Sequence, residues 1–206
     1  MNIQVLQDAD RLPAVEREAL RDDIVNELDE LTALVADVVE LARGTKSEDE
    51  PDDVRLDMVV RSLIERALRR PGVEVTYNVL AEPTLVTGRP ERIARAVSNL
   101  LDNARKWSPP GGIVEVRLAA GELSVRDHGP GFEEKDLPHV FDRFFRSERS
   151  RSMPGSGLGL AIVRQAAEAH GGWARAENAP GGGALVRVRF AAPDAQERLT
   201  ELIQQG

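Results

Sequence analysis

Three glycines at alternate positions, Gly155, Gly157 and Gly159, run directly into the apolar segment Leu160-Ala161-Ile162-Val163. Glycine reaches positive φ without steric cost and lets a backbone approach a ligand closely. The first turn of a following helix offers unpaired N–H groups and the positive end of a dipole. The run therefore predicts a loop leading into a helix over 158–170, either as a phosphate cradle or as a plain flexible turn, and the spacing fits both.

A chain of 206 residues that is 41% hydrophobic can bury one core and a small second unit. Its net charge of −8 argues against a nucleic-acid duplex or an anionic membrane surface as principal partner. No cysteine is present, so a disulfide framework, a thiolate metal site and a cysteine nucleophile are excluded. No apolar run of about 18 residues and no signal-peptide pattern occurs, so a soluble polypeptide is expected.

Residues 1–10 carry Ile3, Val5 and Leu6 before Arg11-Leu12-Pro13 breaks the pattern. From Ala14 to Arg43 the apolar residues Ile24, Leu28, Leu31, Val35, Val38 and Ala42 step by four and three, and Gly44 stands where a helix stops. Such a helix meets another along this stripe, either as a core-facing element or as part of an oligomerising hairpin. The acidic stretch Thr45 to Asp53 reads as a linker at a domain boundary.

Beyond it the pattern predicts helix over 56–68, strands over 73–79 and 85–87, helix over 89–107, a hairpin of strands over 113–118 and 123–127, helix over 158–170, and strands over 173–177 and 184–190. That order suggests a mixed sheet with helices packed on one face. The short apolar pattern of Leu199, Leu202 and Ile203 reads as a fraying terminal helix.

Three further motifs carry chemistry. Asn99, Asn103 and Lys106 fall on one face of the 89–107 helix, which is either a solvated polar stripe or a site whose amide carbonyl completes the oxygen shell of a hard cation. Asp127, in Asp127-His128-Gly129-Pro130-Gly131, ends an apolar strand, so its carboxylate either serves a tight turn or accepts from a ligand amine. Phe141-Asp142-Arg143-Phe144-Phe145-Arg146 sits in a long loop of a chain only 4% aromatic. It reads either as a local anchor with solvated arginines or as a lid whose Arg143 or Arg146 reaches a phosphate.

With these motifs in this order, the chain resembles the ATP-binding domain of sensor histidine kinases, within the wider group sharing the Bergerat (GHKL) ATP fold. Asn99 to Asn103 matches the N box, Asp127-x-Gly129-x-Gly131 the first glycine box, Phe141 to Phe145 the F box, and Gly155-x-Gly157-x-Gly159 the second glycine box. The resemblance runs from about Val54 to Ala191. It implies the α+β class: a two-layer α/β sandwich, a mixed sheet with helices on one face, preceded by a partial helical hairpin. The implied division is 1–44 for a partial dimerisation and phosphotransfer hairpin, 45–53 for the linker, 54–192 for the ATP-binding domain and 193–206 for a tail.

Carried over by residue, the resemblance makes Asn103 the Mg²⁺ ligand, with Asn99 near the phosphates and Lys106 touching them. Asp127 reads the adenine amine, Gly129 and Gly131 admit the base, and Trp107 stands where the family more often has tyrosine beside the base. Phe141, Gly155, Gly157, Leu158 and Gly159 complete the ATP-binding set, and Arg146 matches a lid position that contacts the γ-phosphate. Gly181-Gly182-Gly183-Ala184 stands where a Gly-Gly-Thr-like turn is usual, so a hydroxyl is absent.

The implied activity is transfer of the ATP γ-phosphate to a histidine and on to a response-regulator aspartate, by the cytoplasmic part of a membrane-anchored, homodimeric sensor. The family's acceptor lies on the first hairpin helix, and the histidines here are His128, His139 and His170. None has acceptor context or metal-cluster spacing: His128 reads as a turn residue, His139 as exposed, and His170 as a cation at a helix C-terminus. The acceptor is therefore expected from residues before Met1, and little self-phosphorylation is expected. The other readings are a regulatory fragment that pairs with a full-length kinase, and a GHKL ATPase or anti-sigma-type serine kinase.

Overall fold

The computed structural model describes residues 35, 52–69, 75–119, 121–150, 153 and 155–190. Of the helix expected over 14–43, only Val35 is described, helical and exposed; the rest of the hairpin, the linker to residue 51 and the 193–206 tail lie outside the described residues.

Asp52–Arg55 forms strand β1, followed without a break by helix α1, Leu56–Leu68. Asp52 and Asp53, read from sequence as the end of the linker, pair with Gly88 and Thr87 of β3, Leu85–Gly88, in a separate two-stranded antiparallel sheet. A backbone ladder forms whatever the side chains, and with only Val54 buried in β1 there is no apolar alternation to announce it. Asp57 ties this corner together: its carboxylate takes both forks of Arg55 at 2.9 and 2.7 Å and the Thr84 N–H at 3.2 Å.

Helix α2, Pro90–Trp107, starts with proline at its first position, where no intrahelical N–H is needed. It ends at Ser108, whose hydroxyl and backbone N–H both donate to the Ala104 carbonyl. Its apolar side, Ile93, Ala96, Val97, Leu100, Leu101 and Ala104, is buried. Helix α3, Gly159–Ala169, packs beside it and buries Ala161, Ile162, Val163, Ala166 and Ala167.

The main sheet has five strands: β2 (Val75–Ala81), β4 (Gly112–Ala119), β5 (Glu122–Arg126), β7 (Ala184–Arg189) and β6 (Trp173–Asn178), in that spatial order. The β2–β4 pair is parallel and the others antiparallel, so the sheet is mixed as expected. Alternation sends Val114, Val116, Leu118, Leu123, Val125, Val186 and Val188 into a core shared with the helices. The other face carries Glu115, Arg117, Glu122, Arg126 and Arg187, laced by ion pairs such as Arg187–Glu177 at 3.0 Å.

His170 departs from its expected charge. It follows α3, with Nδ1 2.6 Å from the Ala166 carbonyl, which fixes the proton there, while Nε2 accepts the Arg89 N–H at 2.9 Å. Burial lowers its pKa, overriding the carbonyl contact, and Arg92 and Arg89 push the same way. The ring is a neutral strut between α3 and the start of α2. A Cβ on Gly88 would lie 2.3 Å from its Cδ2, so only glycine admits it there.

Candidate functional site

A cavity of about 590 Å³, the size of a small-molecule site, opens between α2, the ends of β5 and β7, and the long segment between β5 and α3. Asn99, Asn103 and Lys106, at helical spacing on the side of α2 away from the core, form one wall together with Asp102. Asn99 lies beneath the start of α3, and its Nδ2 is buried with no hydrogen-bond partner among the described residues.

Asp127 also lines this cavity, only 2% exposed. Its Oδ1 accepts the Gly129 N–H at 2.9 Å and the Ala184 N–H at 3.0 Å, which holds the carboxylate in one orientation. Oδ2 takes no hydrogen bond from the described residues. Burial raises the carboxyl pKa above its ordinary value against the pull of those two donors. A buried carboxylate with one oxygen committed and the other spare is an acceptor in want of a donor.

Gly131, Gly155, Gly157 and Gly159 line the cavity, as do Trp107 and Arg146. At Gly157, φ is +76° and a Cβ would lie 2.7 Å from the Phe145 carbonyl oxygen, so the loop can pass its neighbour only as glycine. A Cβ on Gly155 would sit 3.1 Å from Lys106 Nζ, which brings the ammonium to the mouth of the glycine run. Lys106 Nζ also lies 5.8 Å from the Trp107 ring centroid.

Three expected site residues stand outside the cavity wall. Gly129 packs under the backbone of Trp107, where a Cβ would come within 2.2 Å of the carbonyl oxygen, so its glycine serves chain packing. Phe141 is buried in the core with the Arg164 guanidinium 5.9 Å from its ring. Leu158 is fully buried against Ile162 of α3 and faces away from the cavity. The apolar walls come instead from Phe132, Val140, Phe145 and Leu160.

Arg146 is held by the loop itself: Nη2 donates to the Ser150 and Met153 carbonyl oxygens, so this guanidinium orders its own loop in addition to lining the cavity. Arg143 is exposed and does not line the cavity. The other two histidines are on the periphery, His128 on Glu115 at 2.8 Å and His139 on Asp142 at 2.9 Å.

The cavity also contains Glu133, Asp136, Ser147 and Arg149, none singled out by the sequence pattern. Asn178, at the end of β6, grips the loop: Oδ1 accepts the Phe132 N–H at 2.7 Å and Nδ2 donates to the Phe132 carbonyl at 2.9 Å. These partners are 46 residues apart, and no local pattern links them.

Residues 88–194, which hold this whole site, match the family described as histidine kinase-, DNA gyrase B- and HSP90-like ATPase. The chain belongs to that family. Among relatives of this ATPase family, the signal transduction histidine-protein kinase/phosphatase MprB of Mycolicibacterium vanbaalenii is 41% identical over 192 residues. The match takes in 88% of this chain and 40% of that protein, so the chain spans about two-fifths of the relative's length. A solved structure of a mycobacterial sensor histidine kinase MprB superposes with a TM-score of 0.60 at 40% identity, covering 68% of this chain and 96% of the other. The ATP binding domain of PrrB from Mycobacterium tuberculosis superposes with a TM-score of 0.55 at 28% identity, covering 70% and 99%. The five-stranded mixed sheet with its helices is therefore this family's fold.

Proposed function

We propose that this chain is the ATP-binding catalytic region of a two-component sensor histidine kinase of the MprB kind, holding Mg·ATP in the cavity and presenting the γ-phosphate to a histidine. Three supports converge: the family, relatives named as histidine kinase/phosphatase, and the cavity chemistry. The observation that carries the reading is Asp127, a buried acceptor whose Oδ1 is fixed by two backbone donors and whose Oδ2 is spare. That oxygen suits an exocyclic amine and would be repelled by a carbonyl-bearing base edge.

The base then lies by Asp127 and Gly131, with Trp107 available for stacking. The phosphates run toward Lys106 and the Gly155–Gly159 loop, and the unpaired Asn99 amide supplies a donor at the start of α3. Among the described residues no three His, Cys, Asp or Glu side chains gather as a metal cage. The Asn103 side chain on the cavity wall suits Mg²⁺, which keeps waters and takes phosphate oxygens, with its amide oxygen as the protein ligand. When bound, Mg²⁺ neutralises charge developing on the transferred phosphoryl group. Lys106 adds a fixed positive charge, and the segment carrying Phe145 and Arg146 closes over the site to exclude water.

In this reading 1–44 is part of the dimerisation hairpin, 45–53 a linker, 54–192 the catalytic domain and 193–206 a tail. The acceptor is a histidine supplied from outside the ATP-binding domain, because His128, His139 and His170 all lie within that domain and are each engaged there. The phosphate passes on to a response-regulator aspartate, and the intact kinase acts as a homodimer.

Incubation with Mg²⁺ and γ-labelled ATP tests the proposal. Saturable Mg²⁺-dependent binding is expected, with little label entering the chain itself and base-stable, acid-labile label entering an added histidine-bearing helical hairpin. Steady phosphate release without labelled protein, or label on serine, would move the chain to the ATPases or serine kinases.

A further inference from the structure

Asp127 can discriminate a base edge only if its carboxylate keeps one rotamer. One of its two fixing donors, the Ala184 N–H, stands at the end of the turn 179–183. That turn contains three successive glycines, Gly181, Gly182 and Gly183, with φ of +84°, +100° and +86°. Glycine has more freedom to lose than any other residue, so such a turn is costly to hold still. Its own closure is two backbone bonds, the Gly182 N–H donating to Ala179 O and the Ala179 N–H to Gly183 O, both at 2.9 Å, and beyond it the Ala184 carbonyl takes the Asp127 N–H at 3.0 Å.

Arg126 supplies an external hold. It is the last residue of β5 and lies on the face of the sheet opposite the core. Its Nη2 donates to the Pro180 carbonyl at 3.0 Å and the Gly182 carbonyl at 3.3 Å. Its Nη1 lies 3.4 Å from Glu115 Oε1, directly across the β4–β5 ladder. The same Glu115 oxygen is 2.8 Å from His128 Nε2. The residues on either side of Asp127 are thus both tied to one carboxylate, and one of them reaches on to the turn that fixes Asp127.

We infer that Arg126, braced by Glu115, is a positioning residue for base selection: by clamping the triple-glycine turn it holds the Ala184 N–H on Asp127 and so keeps the acceptor oriented. The inference rests on the proposed reading of Asp127.

The test is the ratio of dissociation constants for Mg·ATP and Mg·ITP, which differ at the base by an amine against a carbonyl, in the unaltered chain, Arg126→Met and Arg117→Met. Arg117 is an exposed outer-face residue of β4 and serves as control. The unaltered chain prefers ATP. Arg126→Met narrows the preference by roughly five- to tenfold through weaker ATP binding, as loss of a well-aligned charged hydrogen bond does, with ITP binding within about twofold of its starting value. Arg117→Met leaves the ratio in place. Should Arg126→Met fail to fold, Glu115→Gln is measured the same way, with a smaller narrowing and faster amide exchange at 181–184 expected.

A folded Arg126→Met, or in its place Glu115→Gln, with an unchanged ratio overturns the inference. Equal losses of ATP and ITP binding do so too, since they mark a general structural role. An unaltered chain that binds neither nucleotide, or both alike, defeats the reading of the cavity itself and the inference with it.

Discussion

At one end of the cavity Asp127 stands where two antiparallel strands meet, its backbone N–H on the Ala184 carbonyl and its side chain taking the Ala184 N–H in return. Behind it, β5 and β7 pair residue for residue from Glu122 to Arg126. At the other end, the segment from Glu133 to Met153 is held by bonds between near neighbours: Leu137 N–H to Glu133 O, His139 N–H to Asp136 O, Phe145 N–H to Asp142 O and Ser150 N–H to Ser147 O. Its longer ties are side-chain ones, such as Arg149 to Glu133 at 3.3 Å, and Phe144 stands 62% exposed at a φ of +63°. The strand-built end is held by the sheet ladder, whereas the turn-built end is anchored in the core by Val140 and Phe141 and is expected to open around that anchor at lower free-energy cost. In the proposed function, a site divided this way would read its ligand with the rigid end and enclose it with the adjustable one.

Substitutions at the two ends should therefore fail differently. The largest effect is expected from Asp127→Asn, which puts an amide where the spare carboxylate oxygen stands. Mg·ATP affinity should fall by roughly 30- to 150-fold, about 2–3 kcal/mol, with the thermal midpoint little changed, measured by calorimetric titration. Gly183→Ala strikes the same end through the backbone: its Cβ would lie 1.9 Å from the Asp127 carbonyl oxygen at a φ of +86°. A destabilisation of about 2–4 kcal/mol is expected in denaturant unfolding. Gly155→Ala, at the lid, meets only the tip of Lys106 at 3.1 Å, so its cost should come from φ alone, about 1 kcal/mol.

Arg146→Met should separate the two ends more finely. Lid cleavage by a protease should accelerate and ATP affinity drop by roughly three- to tenfold, while global unfolding moves by less than about 1 kcal/mol. A loss of global stability as large as that of Gly183→Ala would mean that the lid belongs to the core and that the two ends of the cavity are one rigid unit.

The smallest effect is in pH. The pKa of Asp127 is raised above 3.8 by burial, so the folded chain holds this proton more tightly than the unfolded one. Its contribution to stability is then greatest in acid and is lost as pH rises from 3.8 through the folded value, while ATP affinity rises over the same window. His170 runs the other way for stability. Its pKa is depressed from 6.5, so stability is fully present above 6.5 and is lost as pH falls from there toward the folded value. Unfolding measured against pH should show this slope flattened in His170→Gln.

Most of this division was legible in the residues. Apolar alternation placed the strands and the three helices to within a residue or two, and the glycine spacing placed the loop before α3. What stayed hidden was set by contacts distant in sequence. Strand β1 has too little apolar content to be seen, and it exists because β3 offers a ladder. In the run Phe141 to Arg146 the chain follows tight turns without a helical or strand period, so nothing local says that Phe141 enters the core while Phe145 faces the cavity. Leu158 sits among ligand-type glycines yet points to Ile162, a choice made by the α3 packing. The clasps by Asn178 and Arg126 join positions 46 and 54 apart and carry no motif at all.

The most direct measurement is amide hydrogen exchange with and without a non-hydrolysable ATP analogue and Mg²⁺. A large gain in protection is expected for peptides covering 133–150 and 155–160, with β5 and β7 already protected and nearly unchanged. Binding that leaves the lid peptides unaltered, or that protects β5 and β7 as much as the lid, would contradict a rigid reading end joined to a closing one.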